Sequence, residues 1–135
     1  MALKTIVIKG AGIRKEAIAD AAIKPGSFLE RTTTGVKVRV ATTAIPVLVA
    51  VENEVVGKDI DTDYATSDTV LFGSYGTGVE INAIITDGQV ITVGEALQIG
   101  AAGKLITLGA GAIVAIALEA VSPSGSDLRC VVELV

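Results

Sequence analysis

Three aspartates spaced two residues apart, Asp59, Asp61 and Asp63, form the cluster with the clearest potential for chemistry. Carboxylates that alternate along a loop supply the oxygen ligands that Ca²⁺ prefers. An EF-hand loop would continue with glycine and would place glutamate at its twelfth position, but Tyr64 and Val70 occupy those positions. The sequence therefore leaves open a calcium loop of another kind, and it favours a solvated acidic loop that follows a strand.

The absence of histidine restricts the catalytic chemistry that the chain could perform. Histidine is the commonest general base and the commonest transition-metal ligand, and a Ser-His-Asp arrangement cannot form without it. Glu52 and Glu54 would lie on the same side of an extended strand. A glycosidase pair also needs a sugar-binding cleft, and aromatic residues are 3% of the chain with no tryptophan. We therefore expect no enzyme, with no catalytic residue, no cofactor and no metal centre.

Two further features resemble functional motifs but lack the residues that would complete them. Cys130 alternates with Arg129 in an apolar run, which is typical of a small buried side chain rather than a reactive thiol. Gly10 and Gly12 follow a strand-like segment as in a dinucleotide-binding fold, but Lys15 occupies the position of the third glycine. The sequence predicts neither a nucleophilic cysteine nor a nucleotide site.

Composition limits the class of partner. The chain has 135 residues, enough for one domain, and a net charge of −4 from 11 basic and 15 acidic residues. A nucleic-acid-binding protein would show a basic stripe with stacking aromatic residues, and this sequence shows neither. The apolar runs are far shorter than the roughly 20 residues that span a bilayer, and the first nine residues do not resemble a signal peptide. We expect a protein made in a cytoplasm that binds neither nucleic acid nor membrane.

Short β-branched runs separated by glycine turns predict an all-β fold, a small antiparallel barrel or sandwich. One run, Val47 to Val51, is apolar at every position and predicts a buried strand. We also expect the strands on either side of Gly76-Thr77-Gly78 to pair as a hairpin. The predicted strands are 27–31, 36–41, 46–52, 69–75, 79–85, 89–92, 96–99, 104–107, 113–118 and 128–134.

The sequence contains an internal repeat. Gly26 matches Gly94 and Ile45 matches Ile113, both at an offset of 68 residues. Ser67-Asp68 and Ser126-Asp127 hold corresponding places before the last strand of each copy. A unit of this size cannot bury both of its faces alone, so we expect two pseudo-repeated units packed on one core.

The first 23 residues differ in character from the rest. Helix-forming residues from Arg14 to Ala22 give only a thin apolar face, and so short a helix is marginal in water. We therefore predict an extended or partly helical N-terminal arm, residues 1–23, followed by a β-barrel-like domain, residues 24–135. The arm needs a surface to pack on, which could be its own barrel, a neighbouring copy or a larger partner.

Several short motifs, taken in order, resemble a family of tailed-bacteriophage head proteins. The main one is V-x-V-A-x-E-N-E-x-x-G-K-x-I-D-x-x-Y-x-x-x-D-x-V, which runs from Val47 to Val70. Similar motifs lie upstream, from Arg14 to Glu30, and downstream, at Asp87-Gly88-Gln89, Val93 to Leu97 and Ala115 to Ala120. The resemblance implies a capsid decoration, or cement, protein. Such proteins are small and β-rich, often trimeric, and clamp neighbouring major capsid subunits from the outside of the head.

The resemblance carries over no catalytic residue and does not specify the face that contacts the shell. We expect the N-terminal segment to bind the capsid or a neighbouring protomer by adding a strand to a sheet edge. Its apolar and basic residues are Lys4, Ile6, Ile8, Lys9, Ile13, Arg14, Lys15 and Ile18. The alternative is a non-enzymatic β-domain that binds a glycan or Ca²⁺, in which Tyr64 and Tyr75 would be the aromatic residues available to contact a sugar.

Overall fold

The structure, a computed structural model, describes residues 5–40 and 47–135. Within these ranges it is built of strands, turns and two short 3₁₀ segments, Glu54–Val56 and Ala101–Gly103, with no α-helix and none that could cross a membrane. The strands confirm the predicted all-β class. They are β1 Val7–Lys9, β2 Ile13–Ile18, β3 Phe28–Arg31, β4 Val36–Val38, β5 Leu48–Ala50, β6 Thr69–Ser74, β7 Glu80–Ile85, β8 Ala96–Ile99, β9 Leu105–Thr107, β10 Ala115–Ala117 and β11 Leu128–Leu134.

Strands β7 to β11 form a closed five-stranded barrel, which we call the second unit. Its order is β7-β11-β10-β8-β9, and these neighbours pair antiparallel. A parallel bridge between Ile85 and Leu105 joins β9 back to β7 and closes the barrel. β1 pairs antiparallel with β7 and lies outside this barrel.

Strands β2 to β6, the first unit, repeat the arrangement of the second. Their order is β2-β6-β5-β3-β4, which is the same order with each strand numbered five lower. A single parallel bridge between Ala19 and Val36 joins the two edges of this sheet at one end. The bridge between Ile23 and Tyr64 has its counterpart between Ile91 and Val121. The predicted pseudo-repeat is therefore present in the strand order and in the connections between strands.

The core is continuous across the two units because some strands of the first unit are buried on both faces. In β5, Leu48 and Ala50 belong to the apolar cluster inside the first unit, whereas Val49 belongs to the larger cluster of the second unit. In β3, Leu29 and Phe28 divide in the same way. Successive side chains of a strand point to opposite faces, so a strand between two cores must be apolar throughout. This explains the uninterrupted run that the sequence shows at β5.

Residues 5–23 are mainly extended, and their two strands belong to the two different sheets. β2 pairs with β6 over six consecutive residues, from Ile13 opposite Ser74 to Ile18 opposite Thr69. Of the two predicted conformations, the extended one is confirmed and the partly helical one is wrong, because pairing with β6 outweighs the weak helix preference of the residues after Arg14. β1 and β2, which both precede residue 24, each belong to one of the two sheets.

The predicted hairpin around Gly76-Thr77-Gly78 is also wrong. β6 pairs with β2 on one side and with β5 on the other, so neither of its edges is left for β7. β7 instead begins the second unit. The glycine-containing loop is the crossover between the two units, and Gly78 N–H donates a hydrogen bond to the Leu134 carbonyl at the end of the chain (2.8 Å).

Candidate functional site

Ile6, which comes just before β1, lies against the protein itself. The side chain of Ile6 is fully buried in the core of the second unit. Buried Glu52 accepts hydrogen bonds from the Ile6 N–H (3.1 Å) and the Thr5 hydroxyl (2.8 Å) and so anchors this segment. In this conformation the Ile6 side chain therefore offers no exposed surface to a partner.

The other residues predicted in this part of the chain differ in exposure. Ile8 is partly buried, and Lys9 is exposed opposite Glu80 of β7. Lys4 lies outside the residues that the structure describes. Lys9 is thus the residue of β1 that remains open to a partner, and Ile8 could add part of its surface.

β2 carries the remaining predicted contact residues on one strand. Ile13 is 67% exposed and Ile18 is 45% exposed, although both are large apolar side chains. Arg14 is exposed and forms an ion pair with Glu54 (3.3 Å), and Lys15 is partly buried. The structure thus brings four of the eight predicted residues together on the outer strand of the first unit.

A loop that sequence reasoning did not select completes this surface. The 3₁₀ segment after β5 exposes Val55 (80%) and Val56 (62%) at its tip, and Gly57 ends it in a left-handed conformation (φ 74°). Val55 lines a shallow cavity of about 420 Å³ together with Leu71 and three residues of β2, Arg14, Lys15 and Glu16. Two adjacent valines at a polar loop tip were the available sequence signal, since exposed apolar groups rimmed by charge often mark interaction sites.

A second cavity, of about 560 Å³, lies between the two units, and Arg129 forms part of its wall. The guanidinium donates to three carbonyl oxygens, those of Pro25 (2.7 Å), Ile60 (2.6 Å) and Asn82 (3.3 Å), and it lies 3.5 Å from the Asp61 carboxylate. Burial lowers the pKa of Arg129 from its ordinary value, and the neighbouring carboxylates oppose that shift. Arg129 thus connects the first unit to the second and has its hydrogen-bonding capacity used within the chain.

The charged side chains around this cavity are paired with one another. Lys104 Nζ lies 2.6 Å from Asp127, and Lys24 Nζ lies 3.8 Å from Asp63. The hydrogen bond from Lys104 holds the pKa of Asp127 below its usual value. With its charges balanced in this way, the cavity has no strong preference for an anion or a cation.

The three aspartates of the acidic loop bind different partners. Asp59 accepts hydrogen bonds from the Asp61 N–H (3.0 Å) and the Thr62 hydroxyl (2.9 Å), which lower its pKa. Asp61 pairs with Arg129, and Asp63 pairs with Lys24. In the described ranges, no group of three or more acidic, histidine or cysteine side chains could hold a metal ion. The loop therefore contributes to the folding of the chain through local turns and ion pairs.

The side chains that a glycan site or a reactive thiol would need are buried. Tyr64 is 4% exposed and donates its hydroxyl hydrogen to the Val51 carbonyl (2.7 Å), while Tyr75 is 6% exposed. Cys130 is fully buried, and this burial raises the pKa of its thiol to about 11. The predicted core position of Cys130 is confirmed. The two tyrosines do not form an exposed platform on which a sugar could stack.

The chain is similar to known proteins in structure but matches none of the family models or curated proteins in sequence. No family model matches the chain, and no curated protein matches it. The crystal structure of the head fiber gp8.5 N base in bacteriophage phi29 is similar, with a TM-score of 0.61 and 14% sequence identity. The similarity covers 93% of this chain and 95% of that chain. The two chains therefore share a fold along almost their whole lengths.

Proposed function

We propose that the protein is a structural virion protein that binds the outer surface of a bacteriophage head and cements neighbouring major capsid subunits. The observation that carries the proposal is the fold shared with a phage head fiber base, which includes nearly every residue of both chains. The order of motifs from Arg14 to Ala120 supports it independently, because that order resembles decoration proteins. Fold similarity alone does not determine function, so the two observations are needed together.

The surface best suited to the capsid is the one formed by the 3₁₀ tip and β2. Val55, Val56 and Ile13 expose most of their side chains, and full burial of such a side chain stabilises a complex by roughly 1.5–3 kcal/mol. Lys15 lies beside Val55 and would pair with acidic groups on a shell, whereas Arg14 is already paired with Glu54. One contact of this size is weak, but many copies on a symmetric shell would bind firmly through multivalency.

This role needs no catalysis, cofactor, nucleic acid or membrane. The partners would be the major capsid protein and further copies of this chain, arranged as homotrimers. The protein would be made in the host cytoplasm and would be located on the exterior of the virion. The buried tyrosines and the paired aspartates favour this role over a glycan-binding or Ca²⁺-binding module.

The proposal is tested by sedimenting purified protein with undecorated heads of its phage and counting the copies bound per shell. We expect saturation at a number fixed by the capsid lattice. The double variant Val55→Asp/Val56→Asp should bind about 100-fold more weakly, because it places two charges at the contact and removes its apolar area. Deleting residues 1–23 would be a poor test, since it would remove β1 and β2 from the sheets.

A matched control uses two valines of comparable exposure elsewhere. Val90 and Val93, between β7 and β8, are 67% and 68% exposed. Val90→Asp/Val93→Asp makes the same chemical change in the second unit and should leave binding within a factor of about two, as expected for substitutions outside a contact surface. Equal losses in the two variants would show that the 3₁₀ tip is not the contact. Failure of the unaltered protein to bind heads would rule out the proposed function itself.

A further inference from the structure

The outer edge of β2 has backbone groups with no hydrogen-bond partner among the residues that the structure describes. Just after β2, the Ala19 N–H donates to the Asp68 carbonyl (2.9 Å), and the Ala19 carbonyl accepts from the Ser67 N–H (2.8 Å). Both groups of Ala19 therefore point toward the chain that leads into β6. Asp20 N–H donates in the opposite direction, to Val36 (2.9 Å). Backbone groups alternate in direction along a strand, and the β2–β6 register is regular. The N–H and C=O groups of Arg14 and Glu16 therefore point away from β6, to the open side.

The second unit shows what covers the corresponding edge. There, the Thr86 N–H donates to Leu105 (3.1 Å), as Asp20 does to Val36 in the first unit. Four residues earlier, the Asn82 N–H donates to the Ile6 carbonyl of β1 (2.7 Å). Glu16 lies four residues before Asp20, just as Asn82 lies four residues before Thr86, so Asn82 corresponds to Glu16. An antiparallel strand thus covers this edge in one unit, whereas none of the described residues covers it in the other.

We propose that the open edge of β2 pairs antiparallel with the same edge of a second copy, about a two-fold axis that passes through Lys15. In this register Arg14 lies opposite Glu16 of the second copy, and Glu16 lies opposite its Arg14. Opposite charges therefore face each other across the two paired edges. Lys9 and Glu80 face each other in the same way where β1 covers β7. Each Arg14–Glu16 pair exchanges two backbone hydrogen bonds, the usual arrangement of hydrogen-bonded antiparallel pairs.

The same register brings Lys15 opposite Lys15 of the second copy, which opposes association. The paired edge is also short. The contact is therefore weak between free molecules and becomes stronger where copies are held side by side, as on a shell. A two-fold contact of this kind would connect neighbouring homotrimers, because a three-fold contact must use another surface of each copy.

The proposed register can be tested by a disulfide between the two residues that face each other at the two-fold axis. Residues at the two-fold axis form a non-hydrogen-bonded pair whose Cα atoms lie about 4.5 Å apart, a separation that a disulfide can bridge. The variant Lys15→Cys should therefore form disulfide-linked dimers under mild oxidation, measured on non-reducing gels. Unaltered protein should stay monomeric on these gels because Cys130 is fully buried.

Ile13→Cys is the matched control. Ile13 is more exposed than Lys15, but in this register it faces residue 17 of the second copy. Ile13 of the second copy lies four residues further along that strand, so the two Ile13 residues are about 13 Å apart. We expect dimers of Lys15→Cys to form at least ten times faster than those of Ile13→Cys. Equal rates would overturn the proposed pairing, and so would a rate for Lys15→Cys no higher than that of the unaltered protein.

A charge exchange tests the pairing in a second way. In the Lys15→Cys background, Glu16→Arg places arginine opposite arginine and should slow dimer formation about tenfold. Arg14→Glu/Glu16→Arg restores opposite charges across the axis and should restore the rate. Both sites are exposed, so neither change should unfold the protein. Loss of dimers in the single and the double variant alike would overturn the assigned register. These measurements use no heads and are independent of the test of capsid binding.

Discussion

The two units of the chain have the same strand order and share glycine turns at corresponding positions. Gly26 and Gly94 hold corresponding positions, and each adopts a positive φ. The Gly26 N–H donates a hydrogen bond to the Ala50 carbonyl of β5, and the Gly94 N–H donates one to the Ala117 carbonyl of β10 (2.8 Å in both). Leu29 and Leu97, which are also 68 residues apart, are both fully buried. These shared features form a turn and part of the core in each unit, so they account for folding rather than for a specific partner.

The units differ at two places on their surfaces. First, β1 covers the outer edge of β7, whereas no strand within residues 5–40 and 47–135 covers the same edge of β2. Second, fifteen positions separate Glu52 from Ser67, but only seven separate Glu119 from Ser126, so the first unit has eight additional residues in this loop. Those residues include the exposed Val55 and the Arg129-bound Ile60. The differences, rather than the shared barrel, form the surfaces proposed to bind partners.

The largest effect should come from breaking the connection between the units at Arg129. Arg129→Met keeps much of the side-chain volume but removes the donors to three carbonyl oxygens, and hydrogen bonds to charged groups are the stronger kind. We expect a loss of about 3 kcal/mol in the free energy of unfolding, measured with urea. Because the core is shared between the units, unfolding should remain a single transition.

Arg14→Met is the control for that substitution. Arg14 forms one exposed ion pair, with Glu54, and such pairs contribute little to stability. Its loss should cost less than about 0.5 kcal/mol. If the two substitutions were equally mild, Arg129 would not connect the units in the way that its hydrogen bonds indicate.

A smaller effect separates the two equivalent glycines. Alanine at either position must adopt a positive φ, which costs about 1–2 kcal/mol. At Gly26 (φ 93°) the added Cβ would also overlap the Arg129 guanidinium and the Asn82 carbonyl oxygen, while at Gly94 (φ 85°) it would meet no atom within 4 Å. Gly26→Ala should therefore destabilise the protein by about 1 kcal/mol more than Gly94→Ala in urea unfolding. Equal costs would indicate that Arg129 can move aside without loss.

Much of the fold could be predicted because it depends on local patterns. Glycine turns, β-branched runs and the offset of 68 residues predicted an all-β fold with two units, since each pattern reflects a turn or a buried strand. The pairing of β6 with β2 could not be predicted in this way. A three-residue glycine loop fits a hairpin and a crossover equally well, and which strand takes an edge depends on contacts between distant residues.

The candidate site was harder to predict than the fold. The apolar and basic residues around Ile13 were identified, but Ile6 has the same character and is buried beneath the buried carboxylate of Glu52. Composition does not distinguish an apolar residue that faces the core from one that faces solvent. Val55 and Val56 were missed because their exposure follows from a 3₁₀ turn, whose position the residue pattern did not indicate.

The smallest effect concerns the two aspartates that hold matching places, Asp68 and Asp127. Asp68 accepts a local hydrogen bond from the Ala65 N–H (2.8 Å), whereas Asp127 accepts from the Asp87 N–H (2.8 Å) and pairs with Lys104 (2.6 Å). Lys104 lowers the pKa of Asp127 in the folded protein. A lowered pKa adds stability that is complete above the unfolded value of about 3.9 and is lost as the pH falls through the folded value.

Asp127→Asn should therefore cost about 1 kcal/mol at pH 7, a value reduced by the partial exposure of the pair, and less near pH 2. Asp68→Asn removes only a local contact and should change less between the two pH values. The measurement is the urea midpoint of each variant and of the unaltered protein at both pH values. A cost of Asp127→Asn that did not decrease in acid would mean that its interaction with Lys104 does not distinguish the second unit from the first, and that the carboxylate acts there mainly as a neutral acceptor for Asp87.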